Sequence, residues 1–168
     1  HAQASLIEIR ISADTLADSL VISIQDNGCG MSTEQIEQVE DPFFTTRTTR
    51  KVGLGIPFFK YAAESTGGDF SITSTIGKGT VINASFGLSH IDRMPLGDIT
   101  STIRTLITMN INTDFLYTYQ VNDRSFILDT RQFREILDGV PFNTPEVSSY
   151  IKEYLEENKT EVDNGIIF

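Results

Sequence analysis

The sequence predicts an α+β fold, because strand patterns come in adjacent pairs and helical patterns lie between and after them. Apolar and polar residues alternate at 6–12 and again at 19–25, which indicates two half-buried strands joined as an antiparallel hairpin. Two more strand patterns, at about 69–75 and 80–87, flank the turn Gly77-Lys78-Gly79. Paired strands separated by helices are typical of a sheet with helices packed on it.

Two helices are predicted between these strand pairs. Ser32 is placed to cap the first, because Gln35 three residues later completes a capping box, and Asp41-Pro42 ends that helix. The second helix ends at Gly67-Gly68. Its predicted apolar stripe consists of Leu54, Phe58, Tyr61, Ala62 and Ser65.

The pattern changes after Leu88, where Pro95 and Gly97 mark a seam. We predict one domain at residues 1–88 and a smaller α+β extension at residues 89–168. The elements of the extension are a helix capped by Asp98, a hairpin of strands 115–121 and 125–129, and helices at about 131–138 and 145–157. The extension matches no pattern to which a function can be assigned.

The composition argues against some classes of function. The formal net charge is −10, and a nucleic-acid-binding surface needs clustered basic residues instead. No apolar run approaches the roughly 18–20 residues that a membrane helix needs, so we expect no membrane association. The single cysteine, Cys29, fits a reducing compartment, and we expect a cytoplasmic protein.

The first candidate motif is Asp26-x-Gly28-x-Gly30, directly after the second strand. Asp26 has the parity of the apolar residues of that strand, so its carboxylate should point toward the buried face. A buried carboxylate needs a hydrogen-bond donor, and the amino group of adenine is one. The two glycines permit positive φ and the close approach of a planar ligand. A turn capped by an aspartate would explain the same residues.

The second candidate motif is Gly53-Leu54-Gly55, at the start of a predicted helix. Small residues leave the first N–H groups of the helix bare, and the helix dipole favours an anion there. The basic residues Arg47, Arg50 and Lys51 come just before it in an otherwise acidic chain. A flexible entry into the helix is the alternative explanation of the glycines.

The third candidate motif is Asp41-Pro42-Phe43-Phe44-Thr45-Thr46. Two adjacent aromatic side chains in a loop must pack on the core or on a ligand, and anchoring to the core is the simpler explanation for at least one of them. Thr80 has the parity of the inward residues of its strand, so its hydroxyl should lie near Asp26. An ordinary strand threonine is the alternative.

The segments Asp26–Met31, Asp41–Thr46 and Gly53–Pro57 resemble, in order and spacing, the G1, F and G2 boxes of the GHKL superfamily. That group includes histidine kinases, anti-sigma-factor kinases, type II topoisomerase ATPase domains, MutL and the ninety-kilodalton chaperones. The resemblance covers about residues 5–88 and is greatest to bacterial histidine kinases and anti-sigma kinases. It implies the Bergerat fold, in which a mixed, mostly antiparallel sheet carries helices on one face and ATP lies between the two layers.

The resemblance also implies roles for individual residues. Asp26 would bind the adenine amino group, helped by a water and Thr80, and Met31 and Phe44 would form walls of the pocket. The glycines of the first motif would line the base, Gly53–Gly55 would bring N–H groups to the phosphates, and the basic residues would belong to a mobile lid. The expected nucleotide-binding residues are Asp26, Gly28, Gly30, Met31, Phe44, Thr46, Arg50, Lys51, Gly53, Leu54, Gly55 and Thr80.

One part of the family pattern is missing from the sequence. The N box, a helix with the asparagine that coordinates Mg²⁺ and often a glutamate for catalysis, should come just before the first strand. The chain begins His1-Ala2-Gln3 without Met, so we interpret it as a fragment whose parent carries the N box before residue 1. The fragment is expected to bind ATP weakly and without dependence on Mg²⁺, and not to turn it over.

Three functions are compatible with this resemblance. The parent protein would phosphorylate a protein in bacterial signalling, act as an ATPase that switches a conformation or dimer as MutL-like proteins do, or sense adenine nucleotide without catalysis. These functions imply adenine nucleotide as the ligand and a protein partner or a homodimer. An N box with an asparagine and a nearby glutamate would favour turnover, and their replacement would favour sensing.

Overall fold

A computed structural model describes residues 2–41, 54–166 and 168. This part of the chain contains a six-stranded sheet and five helices. The strands are β1 (Leu6–Asp14), β2 (Ser19–Asp26), β3 (Phe70–Thr75), β4 (Gly79–Gly87), β5 (Asp114–Val121) and β6 (Arg124–Asp129). The helices are α1 (Thr33–Val39), α2 (Gly55–Glu64), α3 (Ile99–Met109), α4 (Thr130–Leu137) and α5 (Pro145–Asp163).

The strands form one sheet in the order β3-β4-β2-β1-β5-β6. Neighbouring strands are antiparallel except β1 and β5, which are parallel. The predicted mixed, mostly antiparallel sheet is therefore confirmed. The hairpin of β5 and β6 extends the sheet that the first four strands form. The division into domains at residues 88 and 89 stays a prediction, and one sheet runs through both parts.

The core lies between the helices and one face of this sheet, which confirms the predicted two layers. Because side chains alternate along a strand, the buried apolar side chains of the strands all share that face. They are Ile9, Ile11, Ala13, Leu20, Ala84, Phe86, Phe115, Tyr117, Tyr119, Val121, Phe126 and Leu128. Helices α3 and α5 add Ile103, Ile107, Ile151 and Leu155 to the same cluster. On the other face, side chains such as Arg10 and Asn83 are exposed.

Helix α2 turns a partly different face to the sheet from the one predicted, because Ala62 alone of the predicted apolar residues packs on the core. Leu54, Phe58 and Tyr61 are 40%, 60% and 72% exposed. Phe59 instead packs inward, with its ring centroid 6.2 Å from that of Phe70 on β3. Since α2 is apolar on two sides, residue spacing alone does not decide which side is buried. The aromatic residues of the sheet decide it.

The helix ends agree with the sequence at α1 and differ at α5. The capping box of α1 is confirmed, because the N–H of Gln35 donates to Oγ of Ser32 at 3.3 Å and the N–H of Ser32 donates to Oε1 of Gln35 at 2.9 Å. Helix α5 continues past the predicted end near residue 157. Its apolar stripe reaches Val162, which is buried, and Asn164 ends the helix with a φ of +54°.

A buried carboxylate joins the end of α5 to the sheet. Asp163 is fully buried and accepts hydrogen bonds from the hydroxyl of Tyr119 at 3.0 Å, the ammonium of Lys159, and the N–H of Gly165 at 2.8 Å. Burial raises the pKa of Tyr119, and the nearby carboxylate raises it further. Burial also raises the pKa of Tyr117. Both phenols therefore stay protonated in the folded chain at pH values where the unfolded chain loses those protons.

We predict that Tyr119→Phe lowers the free energy of unfolding at neutral pH by about 1–3 kcal/mol, because the buried Asp163 loses one donor. A raised pKa means that the folded state binds more protons, so the stability of the wild type should fall as the pH rises above about 10. This fall should be shallower in the variant. Urea denaturation at neutral and alkaline pH measures both effects, with Tyr150→Phe at a half-exposed position as control. Equal slopes would contradict the prediction.

Candidate functional site

A row of polar residues crosses three strands at one end of the sheet. Asp26 of β2 pairs with Thr80 of β4, and Thr80 pairs with Ser74 of β3. Directly opposed residues of antiparallel strands point to the same face, with Cβ atoms about 4.5–5.5 Å apart. Asp26 is in step with Leu20, which is buried, so this polar row lies on the face that carries the helices. The sequence-predicted residues Asp26 and Thr80 thus lie side by side, and their role in binding stays a prediction.

A row of isoleucines lies next to the polar row on the same face. Ile72, Ile82, Ile24 and Ile9 are paired in register across β3, β4, β2 and β1. Ile9 is only 8% exposed, whereas the other three are half-buried. An apolar strip beside a few convergent polar groups is typical of a site for a small organic ligand.

The carboxylate of Asp26 is half-buried and only partly used by the protein. Its Oδ1 accepts a hydrogen bond from the N–H of Gly28 at 2.8 Å. Within the described part of the chain, nothing donates to its other oxygen. Because an ionised carboxylate can only accept hydrogen bonds, the remaining positions fit a ligand that donates.

Close approaches of the backbone require two of the predicted glycines. A Cβ at Gly28 would lie 2.1 Å from the carbonyl oxygen of Ala2, and a Cβ at Gly30 would lie 2.0 Å from that of Thr75. Gly30 also has a φ of +66°, which disfavours other residues. These two positions thus require glycine because neighbouring backbone of the protein itself leaves no room for a Cβ. Their expected role in lining a base stays a prediction.

Asn27 ties the loop that carries these glycines to the start of β1. Its Oδ1 accepts hydrogen bonds from the N–H groups of Ser5 and Leu6 at 2.9 and 3.0 Å, and its amide nitrogen donates to Oγ of Ser5 at 2.8 Å. Asn27 is not among the site residues predicted from the sequence. An asparagine directly after a strand is a signal for such side-chain-to-backbone bonds, because its short amide reaches nearby main-chain groups.

Ser74 is a second residue of the site that is not among those predicted from the sequence. Its Oγ lies 2.8 Å from the backbone nitrogen of Met31, 2.9 Å from the carbonyl oxygen of Gly79 and 2.9 Å from Oγ1 of Thr80. Ser74 therefore joins the glycine loop to β3 and β4. Unlike the other hydroxyl residues of β3, Ser74 has the parity of Phe70 and Ile72, so the alternation of the strand is a signal that could have placed it on the inner face.

Two predicted phosphate-binding residues mark the start of α2. Leu54 is the N-cap residue, and its side chain offers no capping hydrogen bond. Gly55 follows as the first helical residue, and a Cβ there would meet nothing within 4 Å. A helix start of this kind leaves N–H groups for an anion. The predicted residues Phe44, Thr46, Arg47, Arg50, Lys51 and Gly53 lie outside the described residues.

An ion pair joins α1 to α2. Lys60 Nζ lies 2.5 Å from Oε2 of Glu40 and 4.0 Å from Oε1 of Glu64. The hydrogen bond to Glu40 raises the pKa of Lys60, so this ammonium stays charged. The end of α1 is thereby held against the middle of α2, and the two helices that adjoin the predicted lid segment are connected directly.

The described residues contain neither a cluster of metal-binding side chains nor a membrane-spanning helix. Among residues 2–41, 54–166 and 168, no group of three or more His, Cys, Asp or Glu side chains is arranged to hold a metal ion. In the same ranges, no helix is both long enough and apolar enough to span a bilayer. The expected asparagine ligand of Mg²⁺ stays a prediction.

Residues 1–90 match the family model of the histidine kinase-, DNA gyrase B- and HSP90-like ATPases. The chain belongs to this family. Sporulation kinase C of Bacillus subtilis is 36% identical over 73 residues, which are 44% of this chain and 17% of that protein. Sensor kinase CckA of Brucella abortus is 37% identical over 65 residues, which are 38% of this chain and 7% of that protein. The chain therefore spans less than a fifth of the length of these relatives.

A solved structure shares the fold of this chain. The N-terminal domain of a DNA repair protein superposes with a TM-score of 0.51 at 16% sequence identity. The superposition covers 76% of this chain and 47% of that one, which is more of this chain than the family model matches. At this identity the likeness concerns the fold alone, and it includes part of the chain after residue 90.

We predict that Gly30→Ala destabilises the folded chain more than Gly77→Ala does. Both glycines have positive φ, +66° and +75°, which costs an alanine roughly 1–2 kcal/mol. Only at Gly30 would the new Cβ also collide with a backbone carbonyl, which adds about 1–3 kcal/mol. Urea denaturation of the two variants measures the difference. Equal losses would show that the approach of Gly30 to Thr75 can relax.

Proposed function

We propose that the chain binds ATP at the polar row and the isoleucine row. The observation that carries the proposal is the placement of Asp26. Its half-buried carboxylate lies beside Thr80 and keeps one oxygen to which no described residue donates. Membership of an ATPase family supports the same ligand. A small anion such as ATP is compatible with the acidic chain, since backbone N–H groups can hold phosphates locally.

In this proposal the adenine ring packs on the isoleucine row and its amino group donates to Asp26. Covering half-buried isoleucines removes apolar surface from water, which is worth about 25 cal/mol per Å². The amino group supplies the donor that the carboxylate lacks on its open side. Thr80 lies directly opposite Asp26 and would take part in the same contact, directly or through a water.

The phosphates would extend toward the start of α2. The helix begins there at Leu54 and Gly55, and the N-cap residue Leu54 makes no side-chain capping hydrogen bond. Arg50, Lys51 and Gly53 precede them in the sequence and remain candidates on that ground. Mg²⁺ would accompany the phosphates in the whole protein, and no described residue is assigned as its ligand. No group of the described residues is assigned to catalysis, so the proposal for this chain concerns binding.

We propose further that the whole protein is a bacterial kinase that uses ATP to phosphorylate a protein in signalling in the cytoplasm. The relatives sporulation kinase C and sensor kinase CckA are both named kinases, which supports this proposal. Incubation of the whole protein with labelled ATP tests it, with labelled protein as the expected product. Release of ADP without labelled protein would favour a conformational ATPase, and binding without turnover would favour a nucleotide sensor.

We predict that Asp26→Asn weakens ATP binding to the 168-residue chain about 10- to 100-fold, because a neutral amide replaces a charged acceptor. Isothermal titration calorimetry with and without Mg²⁺ measures it, and NMR titration extends the range to weak binding. Wild-type binding should be weak and change little with Mg²⁺, as expected from a sequence that lacks the N box. Asp123→Asn makes the same charge change at the exposed β5–β6 turn and should bind like the wild type.

Three results would count against the proposal. Unchanged affinity in Asp26→Asn would remove this residue from the site. Absence of binding by the wild type, even at the highest nucleotide concentration, would remove the nucleotide assignment for this chain. Tight binding that depends on Mg²⁺ would show that the chain itself holds the metal, contrary to the expectation from its sequence.

A further inference from the structure

Ser74 has three hydrogen-bonding neighbours and one hydroxyl proton to share among them. The backbone nitrogen of Met31, 2.8 Å from Ser74 Oγ, can only donate. The carbonyl oxygen of Gly79, 2.9 Å away, can only accept. The proton of Ser74 therefore goes to Gly79, and one lone pair of its oxygen is taken by Met31.

This arrangement decides the direction of the third contact. Oγ1 of Thr80 lies 2.9 Å from Ser74 Oγ, and either hydroxyl could donate by distance alone. Since the Ser74 proton is already used, Thr80 must donate to Ser74. The Thr80 oxygen then presents only lone pairs to the rest of the polar row, where Asp26 is also an acceptor.

We propose that Ser74 is a specificity-determining residue that makes Thr80 an acceptor, so that the polar row selects a 6-aminopurine over a 6-oxopurine. This inference rests on the proposed nucleotide site. An amino group at position 6 of a purine offers two N–H donors to the two acceptors of the row. A carbonyl oxygen at that position would face the acceptors Asp26 and Thr80 with no proton to form a hydrogen bond. A site that accepts hydrogen bonds from its ligand therefore rejects a ligand with an acceptor at the same position.

In this proposal Ser74 acts on the nucleotide through Thr80. Its effect therefore differs from that of a residue that only supports the fold. Without the Ser74 oxygen, the Thr80 proton is released and its hydroxyl can turn to donate to a carbonyl at position 6. Loss of Ser74 should therefore change the preference between bases, and not only the overall affinity. If Ser74 mattered only through its hydrogen bond from the N–H of Met31, its loss would lower the affinity for both kinds of nucleotide equally.

The test compares ADP with inosine diphosphate, whose base carries a carbonyl at position 6 and a proton on N1. NMR titration gives both dissociation constants for the 168-residue chain and for the variants Ser74→Ala, Ser74→Thr, Thr80→Val and the double variant Ser74→Ala/Thr80→Val. We expect the wild type to prefer ADP and Ser74→Ala to reduce that preference about 10-fold, the effect of one hydrogen bond. Ser74→Thr keeps a hydroxyl and should keep the preference.

The Thr80→Val background supplies the decisive comparison, because it lacks the hydroxyl on which Ser74 acts. Thr80→Val should itself reduce the preference, and adding Ser74→Ala should then change it no further. An unchanged preference in Ser74→Ala or in Thr80→Val, or equal weakening of both nucleotides, overturns the inference and leaves ATP binding intact. If the wild type binds neither nucleotide, the proposed function fails, and this inference fails with it.

Discussion

The register between β2 and β4 is the constraint on which the candidate site depends. It sets Asp26 opposite Thr80, and the next pairing sets Thr80 opposite Ser74. Because side chains alternate along a strand, a shift by one residue would turn these groups to the outer face. Two features hold the register. Phe86 of β4 must stay buried on the inner face, and a Cβ at Gly79 would lie 1.9 Å from the carbonyl oxygen of Asp26.

Local patterns were sufficient for the parts of the site that obey the period of a strand or a helix. Asp26 faces the helices because it is in step with the buried Leu20, and that parity is visible in the sequence. Ser74 has the inward parity of Ile72 as well, but its pairing with Thr80 on another strand is not visible in a local pattern. The parallel pairing of β1 with β5 joins segments far apart in the chain, and no local pattern encodes it. For α2, which is apolar on two sides, only the sheet determines the buried face.

The strand β1 connects the candidate site with the rest of the chain. Ile9 pairs with Ile24 of β2 on one side and with Tyr117 of β5 on the other. Ile9 and Tyr117 are almost fully buried, whereas Ile24 is half-buried. Along this row of paired residues, burial thus decreases from β5 through β1 to β2. Residues 89–168 supply the strand and the helices that bury one side of β1, so they support the sheet from which the site is built.

The half-buried isoleucines are the feature that folding alone explains least well. Full burial of an isoleucine is worth about 1.5–3 kcal/mol, so Ile24, Ile72 and Ile82 keep only part of what they could contribute. The adjoining row is polar, which shows that this end of the sheet tolerates polar side chains. Positions where a sequence departs from the requirements of its own fold are expected at functional sites. A ligand that covers the isoleucine row would complete the burial of the isoleucines, and a donor on the same ligand would satisfy the open oxygen of Asp26. Adenine has the flat apolar shape and the amino group to do both.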